Sequence, residues 1–131
     1  MKKQVELWLH HAKVDLLSAK KLLEDENLTQ SVAFHCHQAV EKSFKALLEN
    51  EDKRFTKTHD LQNLYGLIQK ENIQLEIDED ALTQINDVYI DSRYPGDTGL
   101  IPNGIPSLKK ANEFYDLSKT VYEKVRQILK K

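Results

Sequence analysis

Hydrophobic residues recur along this chain at steps of three and four, the spacing that gathers them onto one side of a helix. From about Val5 to Leu23 the series runs Val5, Trp8/Leu9, Ala12, Leu16, Ala19 and Leu22/Leu23, and the Glu24-Asp25-Glu26-Asn27 cluster ends it. A second run, from about Thr29 to Glu49, places Val32, Cys36, Ala39/Val40, Ser43/Phe44 and Leu47/Leu48 on one face. Its opposite side carries an equally regular polar stripe of His35, Gln38, Lys42, Lys45 and Glu49, suited to water, a phosphate or a partner. The charged stretch Asn50-Glu51-Asp52-Lys53-Arg54 separates this helix from the next.

A third, shorter helix is predicted from near Thr58, whose hydroxyl serves as N-cap with Asp60 in the first turn, and it turns Leu61, Leu64/Tyr65 and Leu67/Ile68 inward. Asp78, Glu79 and Asp80 form the acidic first turn of a fourth, with Leu82, Ile85 and Val88/Tyr89 as its buried face and an end by Pro95. Residues 92–106 hold all three prolines and three of the four glycines, so they read as a loop. Ser107 then caps a final helix whose apolar series is Ala111, Phe114, Leu117/Ser118, Val121, Val125 and Ile128. Asn72 to Ile77 alternate apolar and polar, but they are too few to build a sheet. Amphipathic helices joined by short connections bury their stripes against one another. The expectation is an all-α, antiparallel up-and-down bundle of four to five helices, with residues 1–131 as a single domain.

Composition narrows the function classes. The chain has 131 residues, enough for one core without disulfides or metal. Lys+Arg number 19 against Asp+Glu 21, so no global basic field draws it to nucleic acid, and any anion site must be local. The lone Cys36 cannot form an intrachain disulfide, which agrees with a reducing compartment. The N-terminal segment is broken by His10, His11, Lys13 and Asp15, unlike a signal peptide, and no run reaches transmembrane length. A cytoplasmic protein with no membrane contact is expected.

Three groupings carry candidate chemistry. His35-Cys36-His37 and His10-His11 offer potential metal ligands, but neighbours on a helix project about 100° apart and cannot converge on one ion. No metal and no cofactor are expected. Cys36, on the apolar stripe, reads as a small buried residue rather than a nucleophile. Glu41, Lys42 and Lys45 form the second grouping. It is either a solvated i, i+4 pair of Glu41 with Lys45, or a pair of ammonium groups, Lys42 and Lys45, aimed at a phosphate. The third is Arg93-Tyr94-Pro95-Gly96, where a guanidinium fork and a phenol ring stand at a helix end.

Trp8-Leu9 with Asp15-Leu16-Leu17, then Gln38-Ala39-Val40-Glu41-Lys42 with Lys45-Ala46-Leu47-Leu48, then Thr58-His59-Asp60-Leu61, then Ser92-Arg93-Tyr94-Pro95, together resemble the HEPN domain family. The resemblance covers nearly the whole chain. It implies a small bundle of about four to five helices, usually a homodimer. In bacteria and archaea such proteins are often encoded beside a minimal nucleotidyltransferase as a toxin and antitoxin pair. Many members are similar to metal-independent ribonucleases with an Arg-(four to six residues)-His motif from each subunit, meeting at the dimer interface. Counted from Arg93, the histidine would fall at 98–100, where this chain has Thr98, Gly99 and Leu100. A formal match lies at Arg54 and His59, ahead of the third helix.

Two functions follow from the resemblance. One is a nucleotide- or RNA-binding module acting with a nucleotidyltransferase partner, using Lys42, Lys45, Arg93, Tyr94 and His59. The other is an endoribonuclease toxin in which His59 is the acid or base and Arg93, or Arg54, stabilises the phosphate. A helical scaffold without ligand is the third reading.

Overall fold

A computed structural model of the chain describes residues 1–55, 58–93 and 105–130, with the backbone alone at 91–93. Five α-helices follow one another: α1 (Lys3–Leu22), α2 (Thr29–Asn50), α3 (Leu61–Gln69), α4 (Glu79–Arg93) and α5 (Leu108–Leu129). A single turn of 3-10 helix, Glu26–Leu28, links α1 to α2, and no strand occurs among the described residues. The expected all-α bundle is what forms. Asn72 to Ile77 cross between α3 and α4 without regular structure.

The helix ends follow local chemistry. Ser107 caps α5 as expected, its hydroxyl accepting from the Lys110 N–H at 3.1 Å. The cap of α3 lies two residues later than predicted. Asp60, not Thr58, accepts from the N–H groups of Gln62 (3.0 Å) and Asn63 (3.3 Å), while the Thr58 hydroxyl accepts from the Asp60 N–H at 3.0 Å. A carboxylate at the positive end of the helix is the better cap, and threonine fixes the approach to it. α2 ends in a Schellman arrangement. Lys53 N–H donates to Leu48 O (2.9 Å) and Asp52 N–H to Glu49 O (3.1 Å), with Asp52 in the left-handed region at φ 56°. Aspartate tolerates that conformation better than most side chains.

α2 is the centre of the fold. It packs against α1, α3, α4 and α5, so it has little solvent-facing surface after its first two turns. α1 runs antiparallel to it: the Lys2 ammonium reaches Glu49 O at 3.0 Å and ion-pairs with Asp52 at the far end of α2. The core joins Val5, Leu9, Ala12, Leu16 and Ala19 of α1 to Val32, Cys36, Val40, Phe44 and Leu47 of α2, as the periodicity predicts. Leu61, Leu64 and Ile68 of α3, Leu82 and Ile85 of α4, and Phe114, Val121 and Val125 of α5 complete it. At the α2 and α5 contact a small hydroxyl replaces bulk: Ser118 Oγ lies 3.0 Å from Cys36 O and 2.8 Å from Phe114 O. None of the helices described is long and apolar enough to cross a membrane.

Tyr65 fastens the segment between α3 and α4. Its ring stacks on Phe44 at 5.8 Å, and its hydroxyl donates to Leu75 O (2.8 Å) and accepts from Ile77 N–H (3.3 Å). Removing that hydroxyl leaves the buried Leu75 carbonyl and the half-buried Ile77 N–H without this partner. Tyr65→Phe is therefore expected to cost about 1–2 kcal/mol, read as a lower urea midpoint at an unchanged slope.

Candidate functional site

Asp15 and Glu41 organise the polar side of α2. Asp15 sits on the buried face of α1, between Ala12 and Ala19 at steps of three and four, where the pattern otherwise calls for an apolar side chain. Only 7% exposed, it accepts from His35 Nδ1 at 2.8 Å and from Lys42 Nζ at 2.7 Å. Glu41, 3% exposed, has the same kind of partners: Lys45 Nζ at 2.9 Å and His59 Nδ1 at 2.9 Å. Each buried carboxylate thus holds one lysine and one histidine. Charge-assisted bonds of this kind are the usual condition on which a carboxylate is tolerated away from water.

The polar stripe therefore faces inward rather than standing in solvent. Lys45 is itself buried, its ammonium 5.5 Å from the Trp8 ring and 5.8 Å from the Phe55 ring, so cation–π contact supplements the Glu41 ion pair. Lys42 remains partly accessible while engaged with Asp15. Its neighbour Gln38 is half-buried.

His59 occupies a different position. It precedes α3, its side chain is 60% exposed, and Glu41 engages only Nδ1. The carboxylate fixes the ring orientation and makes Nδ1 the donor, which leaves Nε2 as the nitrogen able to accept or deliver a proton. Beside it lies an aromatic cluster from α2 and α4, in which His37 and Tyr89 are buried and Phe34 is partly exposed. His37 stacks on Tyr89 at 3.8 Å, Phe34 stacks on the same ring at 6.1 Å, and His59 is 5.9 Å from it. Arg93, the last residue of α4, lies one helical turn beyond Tyr89. The fold thus carries His59 to the C-terminal half of the helix that ends in Arg93. The side chain of Arg93 and the whole of Tyr94 lie outside the described residues, as do positions 98–100. Arg54 is exposed in the connection between α2 and α3.

His37, fully buried, is held by a specific network. Asn86 Oδ1 accepts from the Leu61 N–H at 3.2 Å, so it is the acceptor for His37 Nε2 at 3.3 Å as well. The imidazole therefore carries its proton on Nε2, and Nδ1 stands 3.9 Å from Glu41 Oε1 without a hydrogen bond. Burial pushes His37 down to about 4, outweighing the opposing pull of the Glu41 carboxylate and the Asn86 amide. Cys36 is fully buried, and burial pushes its thiol up to about 12. Among the described residues no three His, Cys, Asp or Glu side chains gather as a metal site would require.

Trp8, Asp15, the Glu41 and Lys42 pair, Lys45 and His59 thus converge on adjoining faces of α2 in one five-helix arrangement. The family model for the HEPN domain matches residues 5–128. The chain belongs to the HEPN domain family. Compared with curated proteins and with solved structures, it has no significant match. Within this HEPN domain, sequence reasoning passed over Asp15 as a charge anchor and Asn86 as part of the wall behind His59, while the Glu41 and Lys45 pair it offered does form, buried rather than solvated. One signal for them was in the pattern: a carboxylate inside the apolar series of α1, and His37, Glu41 and Lys45 at successive steps of four along α2.

Two outcomes follow from these environments. An unfolded histidine titrates near 6.5 and folded His37 near 4, so on acidification the unfolded chain takes up this proton first. The stability that neutral His37 contributes is complete above the unfolded value and lost as pH falls toward 4, by about 3 kcal/mol at most. Urea titrations across that range should show a steeper pH dependence in the natural chain than in His37→Gln. Cys36 should resist thiol reagents at pH 8 in the folded HEPN domain and react only after denaturant is added, because the thiolate is the reactive form.

Proposed function

We propose that this HEPN domain is a cytoplasmic nucleotide- or RNA-binding module, acting as a homodimer with a nucleotidyltransferase partner in a toxin and antitoxin pair. The observation that carries the binding part is the pair of exposed rings, Phe34 and Glu41-oriented His59, flanking buried Tyr89 one helical turn from Arg93. Aromatic faces accept a base with little regard to its identity, and a guanidinium recognises phosphate through its planar fork. Lys42 and Lys45 contribute differently from Arg93 in this reading. Their charges are already balanced by Asp15 and Glu41, so they set the shape and potential of the site more than they grip a phosphate. No cofactor enters the proposal.

The Glu41 and His59 pair also favours a second reading, a metal-independent endoribonuclease. A carboxylate that orients imidazole through Nδ1 prepares Nε2 as a general base. His59 would take the proton from a ribose 2′-hydroxyl, whose oxygen then bonds to phosphorus as the 5′-oxygen departs and takes a proton from solvent water. The products would be a 2′,3′-cyclic phosphate end and a free 5′-hydroxyl. Arg93, with Arg54 as the alternative, would balance the charge gathering on the phosphate oxygens.

One set of measurements separates these readings. With a labelled single-stranded RNA and with ATP as probes, the module predicts binding without cleavage in excess chelator, weakened about tenfold by Arg93→Ala. The ribonuclease predicts chelator-resistant cleavage that His59→Ala abolishes without lowering the melting temperature. Absence of both binding and cleavage would leave the scaffold reading in place of either.

A further inference from the structure

The outer face of α1 carries a feature that neither the core nor the His59 site uses. Leu7 (38% exposed), Val14 (44%) and Leu17 (56%) stand on it in a row. Single exposed leucines are ordinary on protein surfaces, but these three share one register. Lys3, Leu7, His10, Val14, Leu17 and Lys21 alternate steps of four and three, the repeat that forms a narrow seam for a second helix. Beside the seam, Val14, Leu17, Ser18, Lys21 and Leu22 of α1 and His35 of α2 border a shallow, wide-open surface hollow.

Charge selects the occupant. The exposed positions of α1 include Lys3, Lys13, Lys20 and Lys21 against the single carboxylate of Glu6, with Glu24 beyond the helix end 3.4 Å from Lys21, although the chain as a whole has a net charge of −2. A second copy would be disfavoured on this face. Antiparallel pairing about the middle of the seam sets Lys3 opposite Lys21, and parallel pairing sets each lysine against itself, so like charges meet in both directions. A lipid surface also suits a basic helix, yet a seam one side chain wide offers far less apolar area than the broad face that interfacial helices bury. We infer that the outer face of α1 is a docking seam for an acidic amphipathic helix of a different protein, which inserts apolar side chains between Leu7, Val14 and Leu17 and sets carboxylates against the flanking lysines. The geometry is helix-in-groove recognition, with hydrophobic anchors giving affinity and charge giving partner choice.

The probe is a fluorescent synthetic helix with leucine at its a and d positions and glutamate at e and g, compared with the same peptide carrying lysine at e and g. The acidic peptide should bind the full chain, more weakly as salt rises, and Leu17→Glu should weaken it about tenfold, as should Val14→Glu. Both positions are exposed, so helical content and melting temperature should stay unchanged in the two variants. Equal binding of the basic peptide, or binding of neither, would overturn the inference. So would concentration-dependent self-association lost in Leu17→Glu, which assigns the seam to a second copy. Binding to anionic vesicles in preference to the acidic peptide would assign it to a lipid surface and overturn it equally.

Discussion

A carboxylate cannot be left alone inside a helical bundle, and two are buried among the described residues of this chain. Asp15 on α1 and Glu41 on α2 are each closed off by one lysine and one histidine. The requirement reaches across the fold. Satisfying Asp15 ties the middle of α1 to two points on one face of α2, two turns apart, and satisfying Glu41 brings the segment before α3 onto the same helix. A bundle held by apolar stripes alone tolerates sliding and rotation of its helices, because one leucine contact substitutes for another. Directional, charge-assisted bonds remove that freedom.

The candidate site follows from this arrangement. His59 belongs to an irregular segment, and its ring has a defined orientation only because Glu41 holds Nδ1. Behind it, Asn86 accepts from both the first N–H of α3 and the His37 ring, so one amide oxygen fixes where α3 and α4 meet α2. Tyr89 then stacks on His37 and closes the wall. The lysines that look most like anion ligands are committed to neutralising buried charge. The histidine that looks incidental, in a connecting segment, combines an oriented ring with a side chain 60% exposed.

Most of the helical architecture was legible in the order of residues. The apolar series of all five helices, the Ser107 cap and the burial of Cys36 depend on periodicity and local backbone chemistry, which neighbouring residues largely determine. The α3 cap was misplaced by two residues because Thr58 and Asp60 are both good capping residues, and spacing does not rank them. The polar stripe of α2 was harder. His35, Gln38 and Lys42 form a regular hydrophilic face, which in an isolated helix means solvent. Here the face is turned toward α1, where Asp15 makes a polar surface the compatible one.

By itself, then, the sequence determined that the chain is helical, where its helices run, and that one face of each is apolar, because these properties reside in residues three and four apart. The family resemblance was readable for the same reason, since its motifs lie within single helices and at their ends. Only the tertiary structure decided which polar residues are committed and which are open. Asp15 and Lys42 are 27 residues apart and Glu41 and His59 are 18 apart. Whether a charge is spent on a partner or left for a ligand depends on what the fold sets within about 3 Å of it, and no local pattern contains that distance.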